Sequence, residues 1–166
     1  AIRKHSGDVR IDLNAIAPGY AVDRIAARLD GLGIRNYLVD IGGEIRTRGT
    51  NREREPWRVA VERPKEGAPT PFAVLGITDK AVATSGGYRN YVESNGRRLS
   101  HTIDPRSGRP ILAQAASVVV IHEEAMFADA WATALSVLGP KDGHALATER
   151  GMAVMFVIEN GDSLAA

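Results

Sequence analysis

The chain has no cysteine among its 166 residues. That excludes disulfides, thiol nucleophiles and cysteine-ligated metal centres, and it leaves the redox compartment open. No apolar run approaches the roughly 20 residues a transmembrane helix needs. Neither sign of charge is in excess: 21 Lys and Arg stand against 20 Asp and Glu, a formal net charge of +1. The basic residues lie scattered rather than in one block; Arg52 and Arg54, for example, are separated by Glu53. The balance gives no basis for binding nucleic acid or an anionic membrane. Neither G-x-G-x-x-G nor a P-loop occurs, so a Rossmann dinucleotide fold and a P-loop NTPase are unsupported. No internal repeat or low-complexity block is present. No signal peptide is visible; Ala1 is not a natural start, and a leader before it stays open.

What remains is the composition of a globular domain, with 44% hydrophobic and 25% charged residues. A chain of this length buries roughly 70% of its unfolded surface, enough for one sizeable core. Val9 to Leu13 (VRIDL) alternates and predicts a short strand. Pro18 suits a first helical turn. Ala21, Val22, Ile25, Ala26, Leu29 and Leu32 follow at helical spacing, and Gly31 and Gly33 stop that helix. Tyr37 to Ile41 predicts a strand closed by Gly42-Gly43, with Glu44 to Arg48 extending it after the break. Trp57, Val59 and Val61 alternate with polar or small residues in a half-buried strand. A proline-rich loop covers Arg63 to Pro71, and strands follow at Phe72 to Ile77 and Ala81 to Thr84. Arg89 to Glu93 and Arg97 to Ile103 pair around the turn Asn95-Gly96. After the rigid turn Asp104 to Pro110 come a strand at Ser117 to Ile121 and helices at about Glu124 to Leu138 and Asp142 to Glu149. A last strand runs from Ala153 to Ile158. Hairpins mixed with two helical regions predict an α+β fold with a mostly antiparallel sheet.

Chemistry concentrates in a few places. In AMFADAWATALSVLG, Ala125 to Gly139, Asp129 is the one charged side chain. An unpaired buried carboxylate costs several kcal/mol, so Asp129 meets a partner or faces water. Thr133 stands one turn on, on the same face. Its hydroxyl and the carboxylate suit a hard cation such as Mg²⁺. A wetted helix edge, or an arginine partner from elsewhere, explains Asp129 equally. His101, in SHTIDP, has the chemistry of a proton acceptor near neutral pH. It also reads as a surface histidine before a turn that Pro105 fixes, with Asp104 accepting backbone N–H groups. Thr84-Ser85-Gly86-Gly87 and Gly42-Gly43 form corners where backbone can approach a phosphate, or plain tight turns. Trp57 and Trp131 read as core residues. Tyr88 and Tyr91 suit stacking on a planar ligand, or a core edge.

Taken in order, IDLNAIAPGYAVDRIAARLDGLGIRNYLVDIGGEIRTRG, PWRVAVERP, AVATSGGYRNYV, LSHTIDPRSGRPI and FADAWATALSVLGP resemble the ApbE family of FAD:protein FMN transferases. The likeness runs from Ile11 to about Ile158, and its specificity lies in the combination of SGGYRNY, SHTIDPRSGRP and DAWAT. It implies a T-fold-like core and an enzyme that cuts the FAD pyrophosphate. FMN would go to a Thr or Ser hydroxyl of a partner flavoprotein, with AMP leaving and Mg²⁺ required. By resemblance, Asp129 and Thr133 hold the metal, with the Ala17 carbonyl as a further ligand. His101 would serve as catalytic base. Gly42, Gly43, Thr84, Ser85, Gly86, His101 and Asp104 are expected around the nucleotide, with Ala17 beside them. The family commonly has Lys where this chain has Pro18. Its members extend before Ala1 and beyond Ala166, so residues 1–166 are expected to be one domain, the core and C-terminal part of a longer flavin transferase. That likeness also implies a periplasmic location and a membrane-anchored lipoprotein. The same residues would serve an FAD pyrophosphatase, with water as acceptor. A non-catalytic flavin-binding or assembly module is the reading from a different class.

Overall fold

The computed structural model describes residues 3–8, 10–64, 70–86, 91–94, 97–111, 116–160 and 163–165. Helix α1 spans Ala17–Gly31 and carries a proline in its first turn, where the missing N–H is no loss. It stops at Leu32, with Gly33 just beyond at φ +78. The strand expected over VRIDL is not formed. Its described part, 10–13, is irregular, with Ile11 and Leu13 more than half exposed. Local polar bonds take the chain there instead. Asp12 Oδ1 accepts the Asn14 N–H at 2.8 Å, and the Leu13 carbonyl accepts the N–H groups of Ile16 and Ala17. A side chain that offers the backbone such a bond competes with strand pairing.

Strands β1, Tyr37–Ile41, and β2, Glu44–Arg48, are antiparallel neighbours with Ile41 opposite Glu44. Gly42-Gly43 therefore reverses the chain rather than interrupting one strand. Both glycines have positive φ, 69° and 108°, which a two-residue hairpin of matching twist requires. Strand β3, Trp57–Glu62, pairs with β4, Pro71–Ile77, as a separate hairpin. The tip of its loop, 65–69, lies outside the described residues.

Strand β5 runs over Ala81–Gly86, two residues longer than expected, so Thr84, Ser85 and Gly86 are strand residues rather than a corner after one. Strands β6, Tyr91–Ser94, and β7, Arg97–Ser100, form the expected antiparallel pair. Gly87, Tyr88 and the turn residues Asn95 and Gly96 lie outside the described residues, as does the side chain of Tyr91. Two-residue strands β8, Ile103–Asp104, and β9, Arg109–Pro110, frame the expected rigid turn.

Strand β10, Ser117–His122, is followed by helix α2, Ala125–Glu149. Gly139 breaks α2 at φ 79 and ψ 173, directly before Pro140. Two helical pieces therefore meet at a kink, where a proline would remove a ladder bond in any case. Strand β11, Ala153–Asn160, and β12, Ser163–Ala165, complete the chain.

The main sheet has six strands in the order β1-β2-β5-β10-β11-β12, with antiparallel neighbours throughout. Its centre is covered on both faces. Val118 and Val120 of β10 join Ala81, Ala83, Val22 and Leu135 in one core cluster, against α1 and α2. Val119 and Val82 point the other way, into a cluster with Val59, Val61 and Ile77 of the β3–β4 hairpin. This explains why Val118–Ile121 reads as an unbroken apolar run: a strand buried on both faces has no polar side. Leu135 is fully buried. Trp131 packs at the edge of the helix-side cluster, with the Arg150 guanidinium 5.3 Å from its ring centre. Trp57 is half-buried and donates its indole N–H to the Arg48 carbonyl at 3.0 Å.

Candidate active site

One end of this sheet opens into a cleft of about 370 Å³. The Gly42-Gly43 turn and the start of β2 form one wall, and the last residues of β5 form the floor. Asp129 and Thr133 reach in from α2, Pro18 from α1 and His101 from just past β7, while β3 closes the far side. The helical spacing of four residues puts Asp129 and Thr133 on one face of α2, and packing of α2 over β5 and β10 aims that face at the opening.

Asp129 is 7% exposed. Its Oδ2 accepts the backbone N–H of Gly19 at 3.0 Å. Gly19 lies in the first turn of α1, whose N–H groups have no partner within their own helix. Burial pushes the Asp129 carboxyl above the usual range, and the Gly19 N–H pulls it partly back. Across the cleft, burial lifts Glu44 to about 7, helped by the negative charges of Asp129 and Asp40. Asp40, Glu44, Glu62 and Asp129 all line the cleft, and among the described lining residues there is no Lys or Arg. Among the described lining residues, carboxylates therefore outnumber cationic side chains. Among the described residues no group of three His, Asp or Glu side chains stands close enough to hold a metal by itself. A cation here would draw on one or two carboxylates, the Thr133 hydroxyl and oxygens of a ligand, a donor set that suits Mg²⁺.

The cleft thus gathers Gly42, Gly43, Thr84, Ser85, Gly86, His101, Asp129 and Thr133. Two of the expected residues stand apart. Ala17 opens α1 beside cleft-lining Pro18 but is exposed and does not line the cleft itself. Asp104 is engaged in its own turn, accepting the Arg106 backbone N–H at 2.9 Å and pairing with the Arg106 guanidinium. Hydrogen bonds from that side chain hold its carboxyl below the usual range. Sequence reasoning missed Glu44, Asp40, Asn14 and Glu62. For Glu44 a signal existed: it directly follows Gly42-Gly43, and the first residue past a two-residue hairpin turn lies at the mouth of the sheet.

A family model described as the ApbE family matches residues 1–156. The chain belongs to the ApbE family. The FAD:protein FMN transferase of Escherichia coli K12 is 43% identical over 162 residues, which are 98% of this chain and 46% of that protein. The crystal structure of the apo flavinyl transferase ApbE of Pseudomonas stutzeri superposes with a TM-score of 0.80 at 45% identity, covering 93% of this chain and 48% of that one. The flavin transferase ApbE of Vibrio cholerae gives 0.82 at 41% identity, covering 93% and 49%. The chain spans about half the length of the ApbE relatives it matches. The ApbE structures share its mixture of helices and antiparallel sheet.

Proposed function

We propose that this chain forms the metal-holding part of an FAD:protein FMN transferase. The single observation that carries the reading is the charge of the cleft: the carboxylates of Asp129 and Glu44 line it together, with no Lys or Arg among the described lining residues. The FAD pyrophosphate is itself anionic, so it enters such a site only with a cation between. Two close carboxylates, one lifted to about 7 in part by the other, are the kind of unbalanced charge a divalent ion relieves. The relatives named FAD:protein FMN transferase lend the substrate and the reaction.

In this proposal Asp129 and Thr133 hold Mg²⁺, with Glu44 facing them. The ion, when bound, neutralises charge on the pyrophosphate and orients the phosphorus for in-line attack. The chain's own residues do the rest. The Gly19 N–H fixes the Asp129 carboxylate, and the backbone at Thr84 to Gly86 and Gly42-Gly43 gives the nucleotide close approach. A Thr or Ser hydroxyl of the acceptor flavoprotein attacks the FMN phosphorus, the bond to AMP breaks, and AMP leaves with the electron pair. An imidazole nitrogen of His101 takes the hydroxyl proton. The Ala17 carbonyl as a further ligand and Asp104 as a nucleotide contact draw no support from their positions. A periplasmic, lipid-anchored location belongs to the same proposal and rests on family likeness alone.

Incubating the full-length protein with FAD and Mg²⁺, with and without an acceptor peptide, tests the reading. Covalent FMN on the peptide together with AMP supports it. FMN released equally without peptide makes the enzyme a pyrophosphatase. Flavin binding with no turnover makes it a binding module.

A further inference from the structure

Helices α1 and α2 each supply the other's missing N-terminal cap. Glu124, at the N-cap of α2, has the extended backbone of a cap residue, φ −122 and ψ 137, yet makes no side-chain cap bond. Asp23 of α1 takes its place. Its Oδ1 accepts the Ala125 N–H at 3.0 Å and its Oδ2 the Met126 N–H at 2.9 Å. In return Asp129 of α2 accepts the Gly19 N–H of α1. The helices touch backbone to backbone here: a Cβ on Gly19 would lie 2.4 Å from the Ala125 carbonyl oxygen. Asp23 also forms an ion pair with Arg46 of β2, two residues beyond Glu44. One carboxylate outside the cleft therefore ties together the three elements that carry Asp129, Thr133, Gly19 and Glu44.

We propose that Asp23, held by Arg46, is a positioning residue that sets the register of α2 against α1 and β2, and so fixes where Asp129 and Thr133 stand in the cleft. A carboxylate on a neighbouring helix fixes position in a way that a local cap cannot, because a local cap stabilises α2 wherever α2 lies. For its effect on turnover this inference rests on the transferase reading; its structural part does not.

The test separates capping from positioning. Asp23→Ala removes both functions. Adding Glu124→Asp restores a local cap, since aspartate is a favoured N-cap residue. Melting temperature, exchange of the Gly19 amide by NMR, and FMN transfer by the full-length protein are read for each variant. Asp23→Ala should lower the melting temperature, and the double variant should recover most of it. In the double variant the Gly19 amide should still exchange about tenfold faster than in wild type, the scale of a lost bond to a charged acceptor. Transfer should remain about 10²-fold down in kcat with KM for FAD little changed, the scale of a misplaced catalytic group. Full recovery of Gly19 protection and of transfer by the local cap would make Asp23 a cap only and overturn the proposal. A wild type that transfers no FMN, with the Gly19 result intact, would overturn the transferase reading and leave the positioning standing. If Asp23→Ala does not fold, Asp23→Asn keeps one acceptor oxygen and loses the charge, and the same readouts apply.

Discussion

The backbone N–H of Gly19 donates to Asp129 Oδ2 across 3.0 Å, though the two residues lie 110 apart in the chain. That bond answers what a lone carboxylate is doing in an apolar helix. It is buried and partnered, yet its partner is a neutral dipole, so the charge itself is not balanced. The arrangement holds a carboxylate ready at the edge of a cleft.

Replacing Asp129 by Asn should therefore separate stability from activity. The amide oxygen still accepts the Gly19 N–H, while the buried charge disappears. The carboxyl lies above its ordinary range in the fold, so its ionised form weakens the fold at neutral pH. The expected outcome at pH 7 is a melting temperature equal to or above wild type. FMN transfer should fall by about 10²-fold or more, as for loss of a group that stabilises transition-state charge. Calorimetry and a covalent-flavin assay check the two halves.

Gly19→Ala should damage both. In an ordinary helix interior this change gains up to about 1 kcal/mol. Here the new Cβ would meet Ala125 O at 2.4 Å and Met126 Cα at 2.8 Å, and both are backbone atoms that cannot swing away. Overpacking of this kind costs about 1–3 kcal/mol, so the overlap wins and the net change is destabilising. Denaturant unfolding of the variant measures it.

Glu44 should make stability fall with rising pH. Its folded carboxyl is lifted from 4.5 to about 7, so the folded state keeps a proton that the unfolded state has already lost. The stability from this group is fully present below about 4.5 and is lost as pH rises through about 7. Glu44→Gln should flatten that part of the profile, and saturating Mg²⁺ should shrink it in wild type. Melting temperatures between pH 4 and 8 check both.

His101 lines the cleft from just past β7. His101→Ala should slow transfer by about 10²-fold, within the usual range for a general base, and leave Mg²⁺ binding unchanged. Stopped assays across pH and metal titration by calorimetry distinguish that from loss of the metal.

The sequence shows local patterns better than it shows which elements meet. The α1 boundaries, the break in the helical pattern between Leu138 and Asp142 and the β6–β7 pair were legible because proline, glycine and periodicity act within a few residues. Gly42-Gly43 was legible as a corner but not as a reversal, since two glycines permit many paths and only pairing with β2 selects one. VRIDL has a strand's alternation but pairs with no strand among the described residues, so Asp12 and Leu13 close local turns instead. In the cleft, the chemistry of Asp129, Thr133 and His101 was visible as residue types. Glu44, Asp23 and the Gly19 contact were not, because each matters through a partner on another element.

The central claim is that an anionic cleft built around Asp129 binds the FAD pyrophosphate through a divalent cation. The most direct measurement is FAD binding by the full-length protein, by equilibrium dialysis with and without Mg²⁺, for wild type and Asp129→Asn. The account predicts that wild type binds FAD about tenfold or more tightly with Mg²⁺ than without, one charge-assisted contact's worth, and that Asp129→Asn removes the difference. Equal FAD binding with and without Mg²⁺, or a Mg²⁺ effect that survives Asp129→Asn, would contradict it.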